Sequence, residues 1–293
     1  PFRRRRKGDS RISGLPVTGG AFPRPPEAPF PLSTNYEETM LLKDKKCLIF
    51  GVANNRSIAY GIASCFKEQG ARLAFSYAGE AIHKRVEPIS EELGGEFIFP
   101  CDVTSDEDIA AAAALVKEKW GSVDVLVHSV AFANREDLTK RFIETSRDGF
   151  ATALNVSAYS LTALCHAFEP MLNPGASVLT MTYYGAQKII TNYNVMGVAK
   201  AALEASVRYL SVDLGAKDVR INAISAGPLK TLASSGISDF KQIFNHIEEH
   251  APPRRNVTTE DVGKAAVFLA SDLGSAVTGE IMFVDCGYNN LGI

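Results

Sequence analysis

Tyr193 and Lys200 are the pair in this chain best suited to proton chemistry. They follow a β-branched run, Ala176 to Thr182, that reads as a strand. A helix turns ~100° per residue, so positions seven apart return to within ~20° of one direction. A helix running through both residues therefore puts the phenol and the ammonium on one face. A phenol there is a proton donor, and a neighbouring cation lowers its pKa and grips a ligand hydroxyl. The competing reading is an ordinary surface Tyr–Lys pair, and the surrounding elements decide between the two.

Strands are expected at 46–52, 72–77, 96–100, 123–128, 176–182, 219–224 and 281–284. Helices are expected from Ile58 to a stop at Gly70, at about 80–93 and 105–119, at 147–170 where Pro170 breaks the run, from about 193 to Gly215, and near 259–271. Strands alternate with helices, and most strands are continuously apolar. That pattern specifies a parallel sheet covered on both faces, a doubly wound α/β domain of about seven strands. Ligands bind such sheets outside the carboxyl ends of the strands. The polar and glycine-rich segments fall there, at 51–57, 101–104, 128–134, 182–193 and 225–231.

Each strand end carries its own chemistry. The turn from Gly51 to Ser57 feeds a helix starting at Ile58, whose exposed amides and dipole favour a pyrophosphate. Ala53 and Ser57 stand where a dinucleotide fingerprint would have further glycines, so a plain strand-to-helix turn remains open. Asp102 can accept from an adenine amino group with Val103 beneath the ring; a helix N-cap at Asp102 or Thr104 is also open. The second strand ends in Tyr77-Ala78-Gly79-Glu80, without the cation that a 2′-phosphate needs, which favours NADH over NADPH. Lys84 and Arg85, a helical turn further on, oppose that preference. His246 to His250 fits H-x-x-E-H, a zinc spacing, on a short helix stopped by Pro252 and Pro253. No third ligand is evident, and no catalytic metal is expected.

Composition narrows the class. The chain has 293 residues, 46% of them apolar, and a formal net charge of −2. It can bury one large core. Its charge gives no reason to expect nucleic acid or an anionic membrane, and no apolar run approaches the ~20 residues of a spanning helix. Five scattered cysteines read as reduced core residues of a cytoplasmic protein, without disulfide or zinc spacing. Residues 1–39 differ: seven basic and four acidic residues give them +3, leaving −5 for the remainder. They open on Arg3 to Lys7 and lack amphipathic period, which leaves three readings: a basic nucleic-acid arm, an Arg-rich transit peptide, or a tail or segment upstream of a start at Met40. The last is favoured, and the segment is expected to be disordered. Residues 40–293 are expected to form the dinucleotide-binding domain.

From Met40 onward the motifs resemble the short-chain dehydrogenase/reductase superfamily and, within it, the bacterial NADH-dependent enoyl-acyl carrier protein reductases. The residues carrying the resemblance are Gly51 to Ala59, His128 to Ala131, Tyr183 ten positions before Tyr193, Asn192 to Lys200, and Ser225 to Thr231. Thr180 stands where other superfamily members carry a catalytic Ser, and Tyr183 appears instead. The resemblance implies a Rossmann-type reductase of trans-2-enoyl thioesters on acyl carrier protein, in fatty-acid elongation. It implies NADH over the strand ends, contacted by Gly51, Ser57, Ile58, Asp102, Val103, Ser129, Val130, Ala131, Lys200, Ile224 and Thr231. Tyr193 would stabilise the thioester oxygen, with Lys200 on the ribose hydroxyls and Tyr183 a catalytic residue of lesser role than Tyr193; Tyr183, Phe132 and Met196 would also join Tyr193 around the acyl group. Leu229 to about Asn245, with Ser234 to Gly236, would form a lid. The resemblance also implies a homotetramer built through the long helices. A carbonyl-reducing sibling and a non-catalytic dinucleotide-binding regulator are the alternatives.

Overall fold

The computed structural model describes residues 40–231 and 240–292. The expected disorder of residues 1–39 and the central part of the expected lid, including Ser234 to Gly236, lie outside the described residues. The described chain runs β1 (Lys46–Phe50), α1 (Ile58–Glu68), β2 (Arg72–Tyr77), α2 (Glu80–Leu93), β3 (Phe97–Pro100), α3 (Asp106–Trp120) and β4 (Val123–His128). It continues through α4 (Arg135–Thr139), α5 (Arg147–Leu154), α6 (Ser160–Phe168), β5 (Leu172–Thr182), α7 (Val195–Gly215), β6 (Arg220–Ala226), α8 (Phe240–His250), α9 (Thr259–Ala270) and β7 (Ile281–Val284).

The seven strands form one parallel sheet in the order β3-β2-β1-β4-β5-β6-β7. Strand order reverses between β1 and β4, the point at which a doubly wound sheet has its ligand crevice, beyond the carboxyl ends of the strands. The strands read as unbroken apolar runs because both faces are buried. Leu48 and Phe50 pack with α3, α6 and α7, whereas Cys47 and Ile49 pack with α1, α2 and α9. Phe50 meets Phe99 and Phe168 edge-on at 5.7 and 5.8 Å, pairs worth ~0.5–1.5 kcal/mol each beyond their area burial. These contacts fix the last residue of β1, and with it the turn that follows.

Three local expectations are corrected. The single helix expected over 147–170 is interrupted by a π-turn, Asn155–Tyr159, between α5 and α6. There the Val156 carbonyl accepts the Ser160 hydroxyl at 2.7 Å, while the Ser160 amide reaches back to Asn155. Second, α7 starts at Val195 rather than near 193, because Asn194 takes φ 41°, outside the helical region. Its amide donates to the Leu138 and Lys140 carbonyls at 3.1 and 2.7 Å, and asparagine tolerates the positive φ better than most residues. Third, α4 and a 3₁₀ turn, Phe142–Glu144, occupy a stretch without an expected element.

Gly51 is where the fold and the crevice meet. Its φ is +97°, and a Cβ on it would lie 2.1 Å from the Ser129 carbonyl oxygen. The Ser129 amide donates to the Phe50 carbonyl at 3.0 Å, so the ends of β1 and β4 are drawn together where any side chain would collide. Gly51→Ala is expected to lower stability by ~2 kcal/mol or more, read as a fall in the denaturant midpoint without a change of slope.

Candidate active site

The sequence places Tyr193 and Lys200 on one helical face; the structure places only Lys200 on a helix. Tyr193 sits in the turn before α7, between Asn192 and Asn194, both at positive φ. Its amide donates to Ile190 and its carbonyl accepts from Met196. The two flanking asparagines were the signal in the sequence that the helix begins later. Tyr193 is nonetheless buried, as is Lys200. The Tyr193 ring meets Tyr183 edge-on with centroids 5.0 Å apart. A Cβ on Gly185 would lie 2.4 Å from Cδ1 of Tyr193, so a glycine is required for the Tyr183 turn to lie against that ring.

Electrostatics reverse the expected pKa direction. Burial first, then Tyr183 and Glu204, push the Tyr193 phenol well above its ordinary value. The phenol therefore holds its proton at neutral pH and acts as a hydrogen-bond donor rather than as a phenolate. Burial also pushes Tyr183 up, to about 12. Lys200 moves the other way: burial lowers it to about 8, against a raising contribution from Glu204. Its ammonium donates to the Met181 carbonyl at 2.8 Å. An ammonium has three donors, so two remain for ligand hydroxyls.

Beneath this pair runs a buried chain of hydroxyls around His128. The Ser160 hydroxyl spends its one proton on Val156, so its oxygen accepts from Nε2 of His128 at 2.9 Å. Nδ1 must then accept from the Thr180 hydroxyl at 2.8 Å. Burial, with Lys200 nearby, holds the imidazole down to about 3, so it is neutral. Thr180 is thus consumed in joining β5 to β4 and does not face the crevice as a proton donor. Ser157, brought inward by the π-turn, accepts from the Phe132 amide and donates to the Phe132 carbonyl, at 3.0 and 3.1 Å. It also lies 3.7 Å from Sδ of Met196. No sequence period signals either serine, because both depend on the π-turn.

Most of the residues expected to contact the cofactor lie along the carboxyl edge of the sheet, after β1, β3, β4 and β6. Ser57 caps α1, accepting from the Tyr60 amide. The first amides of a helix have no intrahelical acceptor, and α1 has no acidic residue in its first turn, unlike α3 with Asp106, Glu107 and Asp108. A pyrophosphate fits this terminus with Gly51, Ser57 and Ile58 around it. Ser129, Val130 and Ala131 leave the end of β4, and Thr231 follows β6. Ile224 lies inside β6, paired with Met181 and Met282, its side chain wholly buried. Asp102 is not the cap of α3; that is Ser105. Asp102 instead accepts from the amide and hydroxyl of Thr104 at 2.9 and 2.7 Å, at an exposed position beside buried Val103. Lys84 lies 3.8 Å from Glu80, which offsets its charge at the end of β2.

A cavity of about 510 Å³ opens beside Tyr183, walled by Ile189, Ile190, His246, Ile247 and Tyr288. Of the residues expected around the acyl group, Tyr183 lines it. Tyr193 and Met196 pack in the small apolar cluster behind it, and the Phe132 ring is half exposed. Tyr288 was not expected; more than a hundred positions from Tyr183, it carries no local signal. His246 and His250 stack with ring centroids 4.0 Å apart, and Nδ1 of His250 pairs with the His246 carbonyl. Among the described residues no group of three His, Cys, Asp or Glu side chains is placed to hold a metal.

The family model described as Enoyl-(Acyl carrier protein) reductase matches residues 51–289, spanning every strand end from Gly51 to Tyr288. The chain belongs to that reductase family. The reductase is 52% identical over 253 residues to enoyl-acyl-carrier-protein reductase (NADH) 1 of Rhizobium meliloti, covering 86% of this chain and 93% of that one. It is 53% identical to the enoyl-acyl-carrier-protein reductase (NADH) of Rickettsia typhi, covering 87% and 97%. Among solved structures it superposes on the Bacillus cereus enoyl-acyl carrier protein reductase, described with NADP+ and indole naphthyridinone, at TM-score 0.85 and 49% identity over 86% and 99% of the two chains. The Aquifex aeolicus enoyl-acyl-carrier-protein reductase (NADH) gives TM-score 0.84 at 48% identity, with the same coverage.

The His128 chain yields a stability test. Thr180→Val keeps the volume but leaves Nδ1 of a buried imidazole without a donor, which is expected to cost ~1–3 kcal/mol. Thr180→Ser is expected to restore most of it in the same denaturation experiment.

Proposed function

We propose that this reductase saturates the trans-2 double bond of enoyl thioesters carried on acyl carrier protein, using NADH, in fatty-acid elongation. The observation that carries the reading is the burial of both Tyr193 and Lys200 beyond β5, with Tyr183 edge-on to Tyr193, in a chain about half identical to reductases of that name. Bound NADH would supply the hydride for C3 of the substrate, and a proton delivered to C2 would discharge the enolate and complete the saturation. The protein's task is to bind and orient the two reactants and to stabilise negative charge at the thioester oxygen. Tyr193, held protonated by burial, donates to that oxygen as charge develops; such preorganised donors usually supply the largest single part of the barrier reduction. Lys200 uses its remaining donors on the nicotinamide ribose hydroxyls and places a positive charge behind Tyr193. Gly51, Ser57 and Ile58 take the pyrophosphate, and Asp102 with Val103 the adenine. Ser129 to Ala131 and the main chain near Ile224 flank the nicotinamide side, with Thr231 towards the pyrophosphate. Phe132, Tyr183 and Met196 border the acyl group, and the cavity beside Tyr183 receives its chain.

The consumed Thr180 hydroxyl disfavours a carbonyl-reducing sibling activity, which would want a free hydroxyl beside Tyr193. The second strand end and the Lys84–Glu80 contact favour NADH over NADPH. Among the described residues no helix is long and apolar enough to cross a membrane. We further propose a cytoplasmic homotetramer built through the α5–α6 and α7 helices, where Tyr159, Tyr209 and Val212 are exposed, with residues 40–293 as the catalytic domain and residues 1–39 as an extension in sequence.

The test is NADH oxidation at about 340 nm with crotonyl thioester, beside acetoacetyl thioester and with NADPH in place of NADH. Turnover of the enoyl substrate with NADH is expected; turnover of the keto substrate alone would replace the reading by the sibling activity, and silence on both by a binding role. Tyr193→Phe is expected to lower kcat by ~10²–10³, with Lys200→Ala raising KM for NADH as well. Because burial sets Lys200 at about 8, its ammonium is lost as pH rises through that value. The kcat/KM profile is therefore expected to fall on its alkaline side near pH 8, and a profile flat to pH 10 would overturn the role given to Lys200.

A further inference from the structure

Glu204 is a buried carboxylate on α7, one turn beyond Lys200, to which the mechanism above gives no work. Its two oxygens are used separately. One accepts from the Thr182 hydroxyl at 2.9 Å, the other from the Gln187 amide at 3.2 Å. Thr182 ends β5, and Gln187 closes the short 3₁₀ turn Tyr184–Ala186. The segment between these anchors carries Tyr183, so a single carboxylate pins both ends of the turn that places the Tyr183 ring against Tyr193 and on the cavity wall.

We propose that Glu204 is a positioning residue of the reductase site, fastening both ends of the Tyr183 turn and supplying the counter-charge to the buried Lys200 ammonium. The proposal rests on the reading of the function given above. Two arguments support it. A buried carboxylate is costly unless it is hydrogen-bonded and compensated, and a purely structural clamp across Thr182 and Gln187 needs only a neutral amide. The charge also acts in one direction on both members of the pair: it raises Lys200 against the lowering by burial, and it raises Tyr193. Both groups are thereby kept protonated. The other titratable groups around the pair are the neutral His128 of β4 and the Tyr183 phenol, neither of which carries a charge at neutral pH.

The two roles separate by mutation. Gln187→Ala, at an exposed position, cuts one anchor and leaves the charge; KM for crotonyl thioester is expected to rise about three- to tenfold, with the alkaline limb of kcat/KM unmoved. Glu204→Gln retains an acceptor for Thr182 and removes the charge. Lys200 then loses the group that raises it, so the alkaline limb is expected to move to lower pH, and the ratio of activity at about pH 6.5 to that at about pH 8.5 to rise several-fold. Glu204→Asp should return the limb to its wild-type position. Melting curves establish that each variant is folded, and if Glu204→Gln is not, Gln187→Ala and Glu204→Asp still decide the clamp through KM. Wild-type KM in Gln187→Ala together with a wild-type limb in Glu204→Gln would overturn the proposal. Wild-type protein is assayed first: silence there strikes the reading of the function, whereas wild-type turnover with unaltered variants strikes the role of Glu204 alone.

Discussion

A lysine ammonium held out of water at the carboxyl end of β5 is the constraint around which this site is organised. A charge in that position is tolerated only with partners, and the Met181 carbonyl and the Glu204 carboxylate supply them. The consequences spread outward. Glu204 must be buried too, so its oxygens need donors, and Thr182 and Gln187 provide them from the two ends of the Tyr183 turn. The turn then lies close enough to Tyr193 that Gly185 can carry no side chain. A residue set that appears in the sequence as a tyrosine and a lysine is in space a layered arrangement of charge, counter-charge and aromatic wall.

The floor of the site obeys the same rule with neutral groups. His128 ends the strand at the switch point, and both its nitrogens are satisfied, by Thr180 on β5 and by Ser160 beyond the π-turn. The π-turn frees the Val156 carbonyl for the Ser160 hydroxyl and turns Ser157 towards the backbone of Phe132. One irregularity in a helix thus secures the segment leaving β4, which we propose flanks the nicotinamide side of the cofactor. π-turns are uncommon and concentrate at functional sites, and here the reason is visible in the bonds that it redirects.

Much of this was legible in the residues. Continuous apolar strands alternating with helices required a parallel sheet, and the polar loops after Phe50, His128, Thr182 and Ala226 marked its carboxyl edge. The turn from Gly51 to Ser57 and the identity of Tyr193 and Lys200 came from local chemistry at those edges. Other features were partly legible: Asn192 and Asn194 carried the left-handed preference that moves Tyr193 off the helix, and Glu204 stood one turn from Lys200 on a face that an apolar helix buries.

The sequence by itself determined the layering, the order of the elements and the chemical groups delivered to the crevice, because periodicity and turn residues act over a few positions of chain. Only the tertiary structure decided that Tyr193 is pushed up rather than down, that Thr180 is spent within the core, and that Tyr288 lines one cavity with Tyr183. Those outcomes depend on burial and on groups brought together from β4, β5, α7 and the segment after β7. Desolvation and through-space electrostatics are properties of packed neighbours, and a linear pattern does not contain them until the elements have met.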